Sequence, residues 1–513
     1  MPKTLPDLLE SISKRHLVSI QGDISGEIIA PVTESSLEVQ PGGIFVARAG
    51  QSTDGHRYIP DAIAAGAAAI VGEADLTNLP VPYVCVRDAQ AVIGPLAAAW
   101  HDYPSRELVV IGVTGTDGKT TTCHLLHSIL GRAREVKAGY ISTISADFGD
   151  ETVATGLHVT TPGAPRIQAY LARMVKAGLT HCVLEMTSHG LAQGRLNGVD
   201  IDVAALTNVM HEHLDYHGSW ENYRDAKAVM FKMLDESWRK PGIPKLAVIN
   251  ADDDSASYFG TFAADRLQSY GVRARADYRA TDLSFRPDAT AFRVQGQRLE
   301  MRLLGEFNVS NALAAIVAAR ELGASWSDIR AGIAAVDLIS GRMERIDEGQ
   351  DFIAMVDFAH SPNALRRALS AGRVMLPPGK RLIAVFGSAG LRDVEKRRLM
   401  AETSAQLADL TVLTAEDPRT ESLDDILEMM AEGCRAKGGI EGESFIRVRD
   451  RGQAIFRACQ MARSGDLVMA CGKGHEQSMC FGVTEHPWDD RAAMRSALRG
   501  KPLATLPTAK PGR

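Results

Sequence analysis

The sequence predicts an α/β protein of three domains, two of which are built on parallel sheets. At about 150 residues per domain, a chain of 513 residues corresponds to roughly three domains. Short apolar strands alternate with helical segments through the second and third parts of the chain, a pattern typical of parallel sheets. One apolar β-branched run, residues 109–113, leads into a glycine-rich turn that opens an amphipathic helix, as expected for a buried parallel strand.

The chain divides into residues 1–103, 104–340 and 341–500, followed by a tail of residues 501–513. In the first part we predict strands at 44–48 and 67–72 with a helix at 59–65. In the second part we predict strands at 181–186, 203–209 and 245–250 and a helix at 222–234. In the third part we predict strands at 352–358, 381–387, 410–415 and 466–472 and a helix at 423–436. The proline-rich tail is expected to fray.

Composition excludes several classes of protein. The chain is 45% hydrophobic and 23% charged, which is ordinary for a soluble globular protein. A net charge of −6 argues against nucleic acid as a partner, although a small anionic substrate could bind at a local basic site. The seven scattered cysteines form no C-x-x-C pair, so they indicate reduced thiols rather than a zinc site or a disulfide framework. With no leader-like or membrane-spanning apolar run, we predict a cytoplasmic protein without membrane insertion.

The stretch 108–126, LVVIGVTGTDGKTTTCHLL, has the order of a nucleotide phosphate cradle. Backbone N–H groups of such a turn and the N-terminus of the following helix bind phosphate oxygens. Lys119 would reach the β- and γ-phosphates, and the Thr120 hydroxyl would bind Mg²⁺. The strict P-loop spacing would place a glycine at Val113, whereas glycines stand at Gly112 and Gly115. A tight strand-to-helix turn with a chance Gly-Lys-Thr is the alternative, but the complete flanking context favours a site for ATP or GTP.

Six predicted strands end in charged or histidine-bearing segments. In open α/β sheets, ligands bind beyond the carboxyl ends of the strands. The segments are 185–190, 211–218, 357–362, 388–393, 416–419 and 472–476. We therefore predict one large site between two sheets.

The segment 211–217, HEHLDYH, superficially resembles a zinc site. H-E-x-x-H is absent, because Glu212 is followed directly by His213, and beside a phosphate cradle Mg²⁺ is the more economical ion. A histidine-rich surface loop is a further alternative. Lys227, on the helix predicted nearby, would in isolation be an ordinary surface lysine.

Together these residues resemble the Mur ligase family over nearly the whole chain, and most closely the members that add the third amino acid. The motifs are GVTGTDGKTTT at 112–122, the metal segment at 207–227, GEFNVSN at 305–311, GRME at 341–344 and DFAHSP at 357–362. The third-residue members are further indicated by segments 34–59, 160–162, 185–195 and GKGHE at 472–476. The resemblance implies an N-terminal UDP-sugar domain, a central P-loop-type ATPase sheet and a Rossmann-like C-terminal domain for the amino acid.

The chemistry implied by the resemblance is ATP-dependent amide formation. The D-glutamyl carboxylate of UDP-MurNAc-L-Ala-D-Glu attacks the γ-phosphate, which gives an acyl phosphate and ADP. The amine of a diamino acid then attacks the acyl carbon and phosphate leaves. The substrates are thus small molecules, with Mg²⁺ as cofactor, and the chain is expected to act as a monomer.

The resemblance also implies roles for individual residues. Catalysis falls to Lys119, Glu185, His213 and Lys227, and the metal ligands are Thr120, Glu185, His213 and a carboxylated Lys227. ATP binding is assigned to Gly115, Thr116, Asp117, Gly118, Lys119, Thr120, Thr121, Asn311, Arg342 and Asp357, with Asp357 on the ribose and His360 in support. The UDP-sugar and its peptide are assigned to Ser36, Thr160, Thr161, Ser188, Gln193 and Arg195. The incoming amino acid is assigned to Arg392, Glu416, Asp417, Arg419, Gly472 and Glu476.

The sequence departs from the family pattern at several of these positions. Leu37 replaces an arginine of the N-terminal motif, His211-Glu212 replaces Arg-Asp, and Asp117 stands in the cradle where asparagine is common. An acidic group there is unfavourable unless it points away from phosphate or assists a metal. Leu391, before the assigned Arg392, stands where a polar residue is common.

The loop for the incoming amino acid also departs from the family, because it reads Glu-Asp-Pro-Arg at 416–419 where diaminopimelate-adding members carry Asp-Asn-Pro-Arg. Arg419 could bind the distal carboxylate of meso-diaminopimelate, which we therefore favour. The two acidic residues would suit the free distal amine of L-lysine or L-ornithine, so these alternatives stay open.

Two other classes of function would share part of this pattern. A folylpolyglutamate- or cyanophycin-type ligase would share the cradle and the 207–227 segment but not the N-terminal segment 34–59. A non-catalytic nucleotide-binding homologue would be indicated by loss of Lys119, Glu185, His213 or Lys227. All four residues are present.

Overall fold

The computed structural model describes residues 3–50, 53–155, 161–210, 214–286 and 288–509. In this part of the chain the three large sheets follow one another along the sequence, one within each predicted range. The boundaries at 103 and 340 stay predictions, but the α/β class is confirmed.

The N-terminal part is a small sheet flanked by short helices. Its elements are β1 (Lys3–Thr4), α1 (Leu5–Leu9), β2 (Leu17–Gln21), β3 (Glu27–Ile28), β4 (Val32–Thr33), β5 (Ile44–Val46), α2 (Ile59–Ala64), β6 (Ala69–Gly72), β7 (Tyr83–Val86) and α3 (Ala89–Trp100). The main sheet has the order β2-β7-β6-β5-β4. Strands β4 to β7 are parallel, and β2 pairs antiparallel to β7 at the edge.

The central part is one long mixed sheet with a parallel middle. Its strands are β8 (Val109–Thr114), β9 (Ala138–Ile141), β10 (Ser145–Asp147), β11 (Thr152–Ala154), β12 (His181–Glu185), β13 (Val203–Leu206), β14 (Leu246–Asn250), β15 (Arg266–Gly271), β16 (Tyr278–Phe285), β17 (Thr290–Val294) and β18 (Gln297–Met301). Its helices are α4 (Lys119–Leu130), α5 (Ala164–Lys176), α6 (Ser188–Ala192), α7 (Leu214–His217), α8 (Trp220–Glu236), α9 (Ala256–Phe259), α10 (Glu306–Glu321) and α11 (Trp326–Ala334).

The central sheet has the order β11-β10-β9-β12-β8-β13-β14-β15-β16-β17-β18. Strand β8 lies in its middle, parallel to β12 and β13. Successive residues of β8 bury on opposite faces: Val110 packs into the core of α5 and α8, and Ile111 packs into the core of α4, α10 and α11. Burial on both faces explains the continuous apolar run.

The C-terminal part is a Rossmann-like parallel sheet. Its elements are β19 (Glu344–Ile346), β20 (Ile353–Asp357), α12 (Pro362–Met375), β21 (Leu382–Phe386), α13 (Glu395–Leu407), β22 (Leu410–Leu413), α14 (Leu423–Ala436), β23 (Phe445–Arg447), α15 (Arg451–Met461), β24 (Leu467–Cys471), β25 (Ser478–Phe481), β26 (Thr484–Pro487) and α16 (Asp490–Leu498). The sheet order is β19-β20-β24-β21-β22-β23, with only β19 antiparallel among these strands.

Every predicted strand and helix exists, but most predicted strands are one to three residues too long, whereas the one at 109–113 is one residue too short. The strand predicted at 203–209 ends at Leu206 in the structure, because the side chains of Thr207 and Asn208 bind the cradle. Likewise 410–415 ends at Leu413, before the buried loop residue Glu416. The apolar pattern continues past the last ladder hydrogen bond since these exit loops are themselves buried.

The prediction that the tail frays is wrong as far as Ala509. Leu506 is buried, and the Thr508 hydroxyl donates to Asp450 Oδ2 at 2.8 Å. A short 3₁₀ turn spans Pro507–Ala509. The proline-rich composition suggested a loose tail, but one apolar residue, Leu506, attaches it to the C-terminal core.

The cysteines, membrane-spanning helices and metal clusters were the subject of predictions from composition. All seven cysteines are free thiols in the structure. Within the described ranges, no helix combines the length and the apolar character needed to span a bilayer. No cluster of three or more His, Cys, Asp or Glu side chains with the geometry of a metal site occurs there either.

Candidate active site

The phosphate cradle forms at the carboxyl end of β8, in the middle of the central sheet. Gly118 precedes α4 with φ of 82°, and no described side chain caps this helix end. The N–H groups of the first turn are therefore available to an anion, and the helix dipole favours one. A Cβ on Gly118 would lie 2.0 Å from Asn311 Oδ1, so only glycine allows α10 to approach the cradle this closely.

Lys119 is folded back over the loop. Its Nζ donates to the carbonyl oxygens of Gly115 at 3.0 Å and Thr116 at 2.7 Å. These contacts place the charge inside the turn, where no carboxylate of the described residues pairs with it. Val113, where the strict P-loop spacing expects glycine, is a fully buried core residue of β8, which accounts for the departure.

Glu185 brings a buried carboxylate to the cradle. It ends β12, beside Val113 of β8, and is 2% exposed. Its Oε2 accepts from the Thr120 hydroxyl at 3.0 Å and from the Thr143 N–H at 3.0 Å, and its Oε1 accepts from the Thr143 hydroxyl at 2.9 Å. Thr143 was missed by the sequence analysis, although it follows β9 as the other site residues follow their strands.

Lys227 is not a surface residue, since it is 1% exposed on α8. Its Nζ donates to the Gly115 carbonyl at 2.7 Å and lies 4.1 Å from the centre of the Tyr223 ring. The Ser219 hydroxyl caps α8 by accepting from the Asn222 N–H at 3.1 Å. The structure thus brings Lys119, Glu185 and Lys227 to one loop, as predicted.

Asp117 has a fixed backbone and a side chain that points across the cleft. Its N–H donates to Asn208 Oδ1 at 3.0 Å, and its carbonyl accepts from Thr207 Oγ1 at 2.6 Å and from Asn208 Nδ2 at 3.1 Å. Its carboxylate lies 3.4 Å from Arg367 Nη1, on α12 of the C-terminal part. Neither Asn208 nor Arg367 was predicted as a site residue.

Arg342 and Asp357 connect the cradle to the C-terminal sheet, whereas Asn311 lies against Gly118 from α10 of the central part. Arg342 Nη2 donates to the Thr120 hydroxyl at 3.3 Å, and its guanidinium lies 4.5 Å from the Phe358 ring centre. Both carboxylate oxygens of Asp357 accept backbone hydrogen bonds, from the Met343 N–H at 2.7 Å and the Ala359 N–H at 2.8 Å. Burial raises the pKa of Asp357 against the opposing effect of Arg342. Its contact with a ribose therefore stays a prediction.

Two half-buried histidines lie near Arg342. Burial, helped by the charge of His127, lowers the pKa of His124 to about 4. Burial and the charges of Arg342 and Arg491 lower the pKa of His475 to about 3. His124 Nε2, His475 Nδ1 and Arg342 Nε have no hydrogen-bond partner among the described residues.

A second polar group lies beside the N-terminal part, where the sugar nucleotide was predicted to bind. Arg195 donates to the Thr161 carbonyl at 2.7 Å and to Gln193 Oε1 at 2.6 Å. Ser188 Oγ lies 3.2 Å from His217 Nε2. Gly163 lies directly against Glu34, since a Cβ on Gly163 would be 2.6 Å from Glu34 Oε1. The segment that contains Ser36 therefore lies at the same junction. Leu37, in place of the family arginine, is 96% exposed.

Glu416 is the least satisfied charge of the C-terminal part. It follows β22, is 5% exposed, and its Oε2 has no hydrogen-bond partner among the described residues. A Cβ on Gly472, which has φ of 110°, would lie 2.1 Å from that oxygen. Burial raises the pKa of Glu416, while the charges of Lys396, Arg451 and Lys473 act in the opposite direction.

Asp417, by contrast, is fully paired. Its Oδ2 accepts from Lys473 Nζ at 2.9 Å and its Oδ1 accepts from the Cys480 N–H at 2.8 Å. Lys473 also forms an ion pair with Glu476. Burial lowers the pKa of Lys473, but the carboxylates of Glu476 and Asp417 together outweigh it and raise that pKa overall. Lys473 thus bridges Asp417 and Glu476, and Glu416 is the acid of the 416–417 loop that forms no ion pair with a described residue.

The two predicted arginines differ in their surroundings. Arg419 Nη1 donates to the Gly390 carbonyl at 2.9 Å, and its backbone pairs with Cys480 of β25. Arg392 is exposed at the end of β21. The predicted residues Thr160, His211, Glu212 and His213 lie outside the described residues.

Three segments of the chain match family descriptions. Residues 113–319 match the Mur ligase middle domain, 341–474 match the Mur ligase glutamate ligase domain, and 29–101 match the Mur ligase family catalytic domain. The UDP-N-acetylmuramyl-tripeptide synthetase of Roseiflexus sp. (strain RS-1) is 42% identical, over 94% of this chain and 96% of its own. The UDP-N-acetylmuramoyl-L-alanyl-D-glutamate--2,6-diaminopimelate ligase of Geobacillus kaustophilus (strain HTA426) is 37% identical, over 92% and 95%.

A solved structure agrees with these relatives. A UDP-N-acetylmuramoyl-L-alanyl-D-glutamate--2,6-diaminopimelate ligase matches with a TM-score of 0.65 and 30% identity, over 97% of this chain and 99% of its own. The chain belongs to the Mur ligase family. It is an ATP-dependent ligase that forms an amide bond.

Proposed function

We propose that this ligase adds the third amino acid to UDP-MurNAc-L-Ala-D-Glu, and that the amino acid is meso-diaminopimelate. The proposal rests on the loop after β22, which carries both a buried carboxylate oxygen of Glu416 without a hydrogen-bond partner among the described residues and the guanidinium of Arg419 three positions later. meso-Diaminopimelate carries both an ammonium and a carboxylate at its distal end. Glu416 binds the ammonium and Arg419 binds the carboxylate, because each charge needs an opposite partner once it leaves water.

L-Lysine and L-ornithine form the second candidate. They have a distal ammonium but no distal carboxylate. Glu416 favours them as much as it favours diaminopimelate, whereas Arg419 would have no carboxylate to bind. Since Lys473 neutralises Asp417, the loop has one unpaired acid rather than two.

Charge neutralisation at the cradle supports the first half-reaction. The D-glutamyl carboxylate and the γ-phosphate are both anions, so their approach needs positive charge between them. Lys119 supplies a cation from the loop, and the N–H groups of the first turn of α4 bind phosphate oxygens. Attack of the carboxylate oxygen breaks the bond between the γ-phosphorus and its bridging oxygen, which releases ADP.

Mg²⁺ fits the oxygen groups at this site. Thr120 and Glu185 present hard oxygen ligands 3.0 Å apart in a buried setting, which is the donor chemistry that Mg²⁺ prefers. When bound there, Mg²⁺ supplies further positive charge to the phosphates. His213 and a carboxylated Lys227 complete the proposed set. Lysine carboxylation joins the neutral amine to CO₂ with loss of one proton, and a carbamate signal in ¹³C NMR after incubation with ¹³C-bicarbonate would identify it.

Parallel ligation assays test the proposal. The purified chain, ATP and Mg²⁺ are incubated with UDP-MurNAc-L-Ala-D-Glu and with meso-diaminopimelate, L-lysine or L-ornithine in separate reactions. We expect ADP release and a tripeptide product with meso-diaminopimelate, observed by mass spectrometry, and none with Lys119→Met. Turnover with none of the three amino acids refutes the proposal. Preference for lysine or ornithine refutes only the identity of the amino acid. A single species in sedimentation would agree with the proposed monomer.

A further inference from the structure

The ion pair between Asp117 and Arg367 joins the phosphate loop to the C-terminal part. The two residues are 250 positions apart, and their atoms Oδ2 and Nη1 lie 3.4 Å from each other. Their side chains are 25% and 34% exposed, so the pair stands at an accessible edge of the site rather than in the core. Arg367 Nη2 also lies 3.0 Å from Met210 Sδ, on the segment after β13.

Asp117 creates an electrostatic problem that its backbone cannot relieve. Three hydrogen bonds to Thr207 and Asn208 fix that backbone within the phosphate loop. The described contacts of Lys119 are to the carbonyls of Gly115 and Thr116, so its charge is not committed to Asp117. An uncompensated carboxylate beside a triphosphate would weaken nucleotide binding, because like charges repel strongly in a partly desolvated cleft.

Arg367 is positioned to remove that repulsion. It lies on α12, whose first turn is fixed by Pro362 and by the Ser361 hydroxyl accepting from the Ala364 N–H. Arg367 also lines a cleft of about 620 Å³ together with Asn208 and Asn311, between the central sheet and α12. The arginine therefore faces the cradle from the opposite side of the cleft.

We propose that Arg367 is a positioning residue that neutralises Asp117 and so permits an acid in the phosphate loop. Nucleotide affinity then depends on a cation that only the docked C-terminal part supplies. The inference rests on the ATP cradle proposed above, and it does not depend on which amino acid is added.

A double-mutant cycle tests the inference. The dissociation constant of a non-hydrolysable ATP analogue is measured by calorimetry for the wild type, Arg367→Met, Asp117→Asn and the double variant. We expect Arg367→Met alone to raise the dissociation constant on the order of 10-fold. In the Asp117→Asn background the same change should have little effect. Arg367→Lys should bind nearly as well as the wild type, and Arg366→Met, on the exposed side of the same helix, should be silent.

The cycle separates this role from direct phosphate binding. If Arg367 contacted the phosphates itself, Arg367→Met would weaken binding equally with and without Asp117, which would overturn the inference. An unchanged dissociation constant in Arg367→Met would also overturn it. At saturating ATP, kcat should change little in that variant. Failure of the wild type itself to bind the analogue would refute the cradle as well, and thermal unfolding of each variant verifies that it is folded.

Discussion

The phosphate cradle and the proposed amino-acid pocket are both arranged to bind charged groups, but they do so in different ways. The cradle uses contiguous residues 115–120, with backbone N–H groups and one lysine whose described contacts are carbonyl oxygens. The pocket uses buried charged side chains from separate helices and strand-end loops. Asp417 pairs with Lys473, and Arg451 pairs with Asp490 with both side chains fully buried.

The two regions differ in whether their polar groups can remain without a partner. Backbone dipoles carry no net charge, so an empty cradle costs little. A buried ion without a partner is expensive, so nearly every charge in the pocket has one. Among the described residues Glu416 Oε2 has no such partner, and we propose that a cationic group of the substrate binds it.

Removing the charge of the cradle should have the largest effect. In Lys119→Met we expect ligase activity to fall by at least about 100-fold, since one preorganised cation or donor is typically worth this much in kcat. Initial rates of ADP formation measure it. The fold should persist, as judged by circular dichroism. Retention of more than a tenth of the activity would contradict the comparison, because the cradle would not depend on the lysine of its own loop.

Removing the unpaired charge of the pocket should have a smaller and more selective effect. In Glu416→Gln we expect KM for the diamino acid to rise roughly 10- to 100-fold, as for one charge-assisted hydrogen bond to an ion. KM for ATP should not change. Glu443→Gln, an exposed glutamate of the same part, is the matched control. Equal changes in both KM values would show that Glu416 acts on the fold instead.

Arg419→Ala distinguishes the candidate amino acids. We expect KM for meso-diaminopimelate to rise on the order of 10-fold, while KM for ATP is unaffected. An unchanged KM for the amino acid would remove Arg419 from the pocket. A rise that is equal for L-lysine would show that Arg419 does not act on the distal carboxylate.

The half-buried histidines near Arg342 predict that stability decreases as the pH falls. His124 and His475 stay neutral in the folded chain, with pKa values lowered to about 4 and about 3. Below pH 6.5 the unfolded chain binds protons that the folded chain does not, so the free energy of unfolding falls by up to about 1.4 kcal/mol per pH unit for each histidine. The loss extends down to each folded pKa.

Denaturant unfolding between pH 7 and pH 4.5 measures this dependence. His124→Gln should show a shallower decrease than the wild type, because it lacks one of the groups that take up a proton on unfolding. Identical slopes in the two proteins would refute the assignment to His124.

Local sequence predicted the cradle in detail. Strand, turn and helix follow one another within residues 109–130, so their geometry is determined by neighbours in the chain. The predicted positions of Glu185 and Lys227 beside it are also confirmed, although their roles stay proposals. The sequence could not give the partners Thr143, Asn208 and Arg367, because each arrives from a distant strand or helix.

The charge balance of the proposed pocket differs from the one that the sequence suggested. The acidic loop 416–417 was interpreted as two negative charges, yet Lys473 neutralises Asp417 from the end of β24. The tail was expected to fray, yet Leu506 is buried in the C-terminal core. Both errors concern contacts between segments that composition and spacing do not relate.

The sequence by itself determined the α/β class, the existence of the strands and helices, and the residues of the phosphate loop, because apolar periodicity and glycine conformation act locally. The tertiary structure decided which charges are paired. Asp117 is neutralised by a helix 250 positions away and Glu416 is left with a free oxygen, since counter-ions are chosen by which strand ends and helices meet in space.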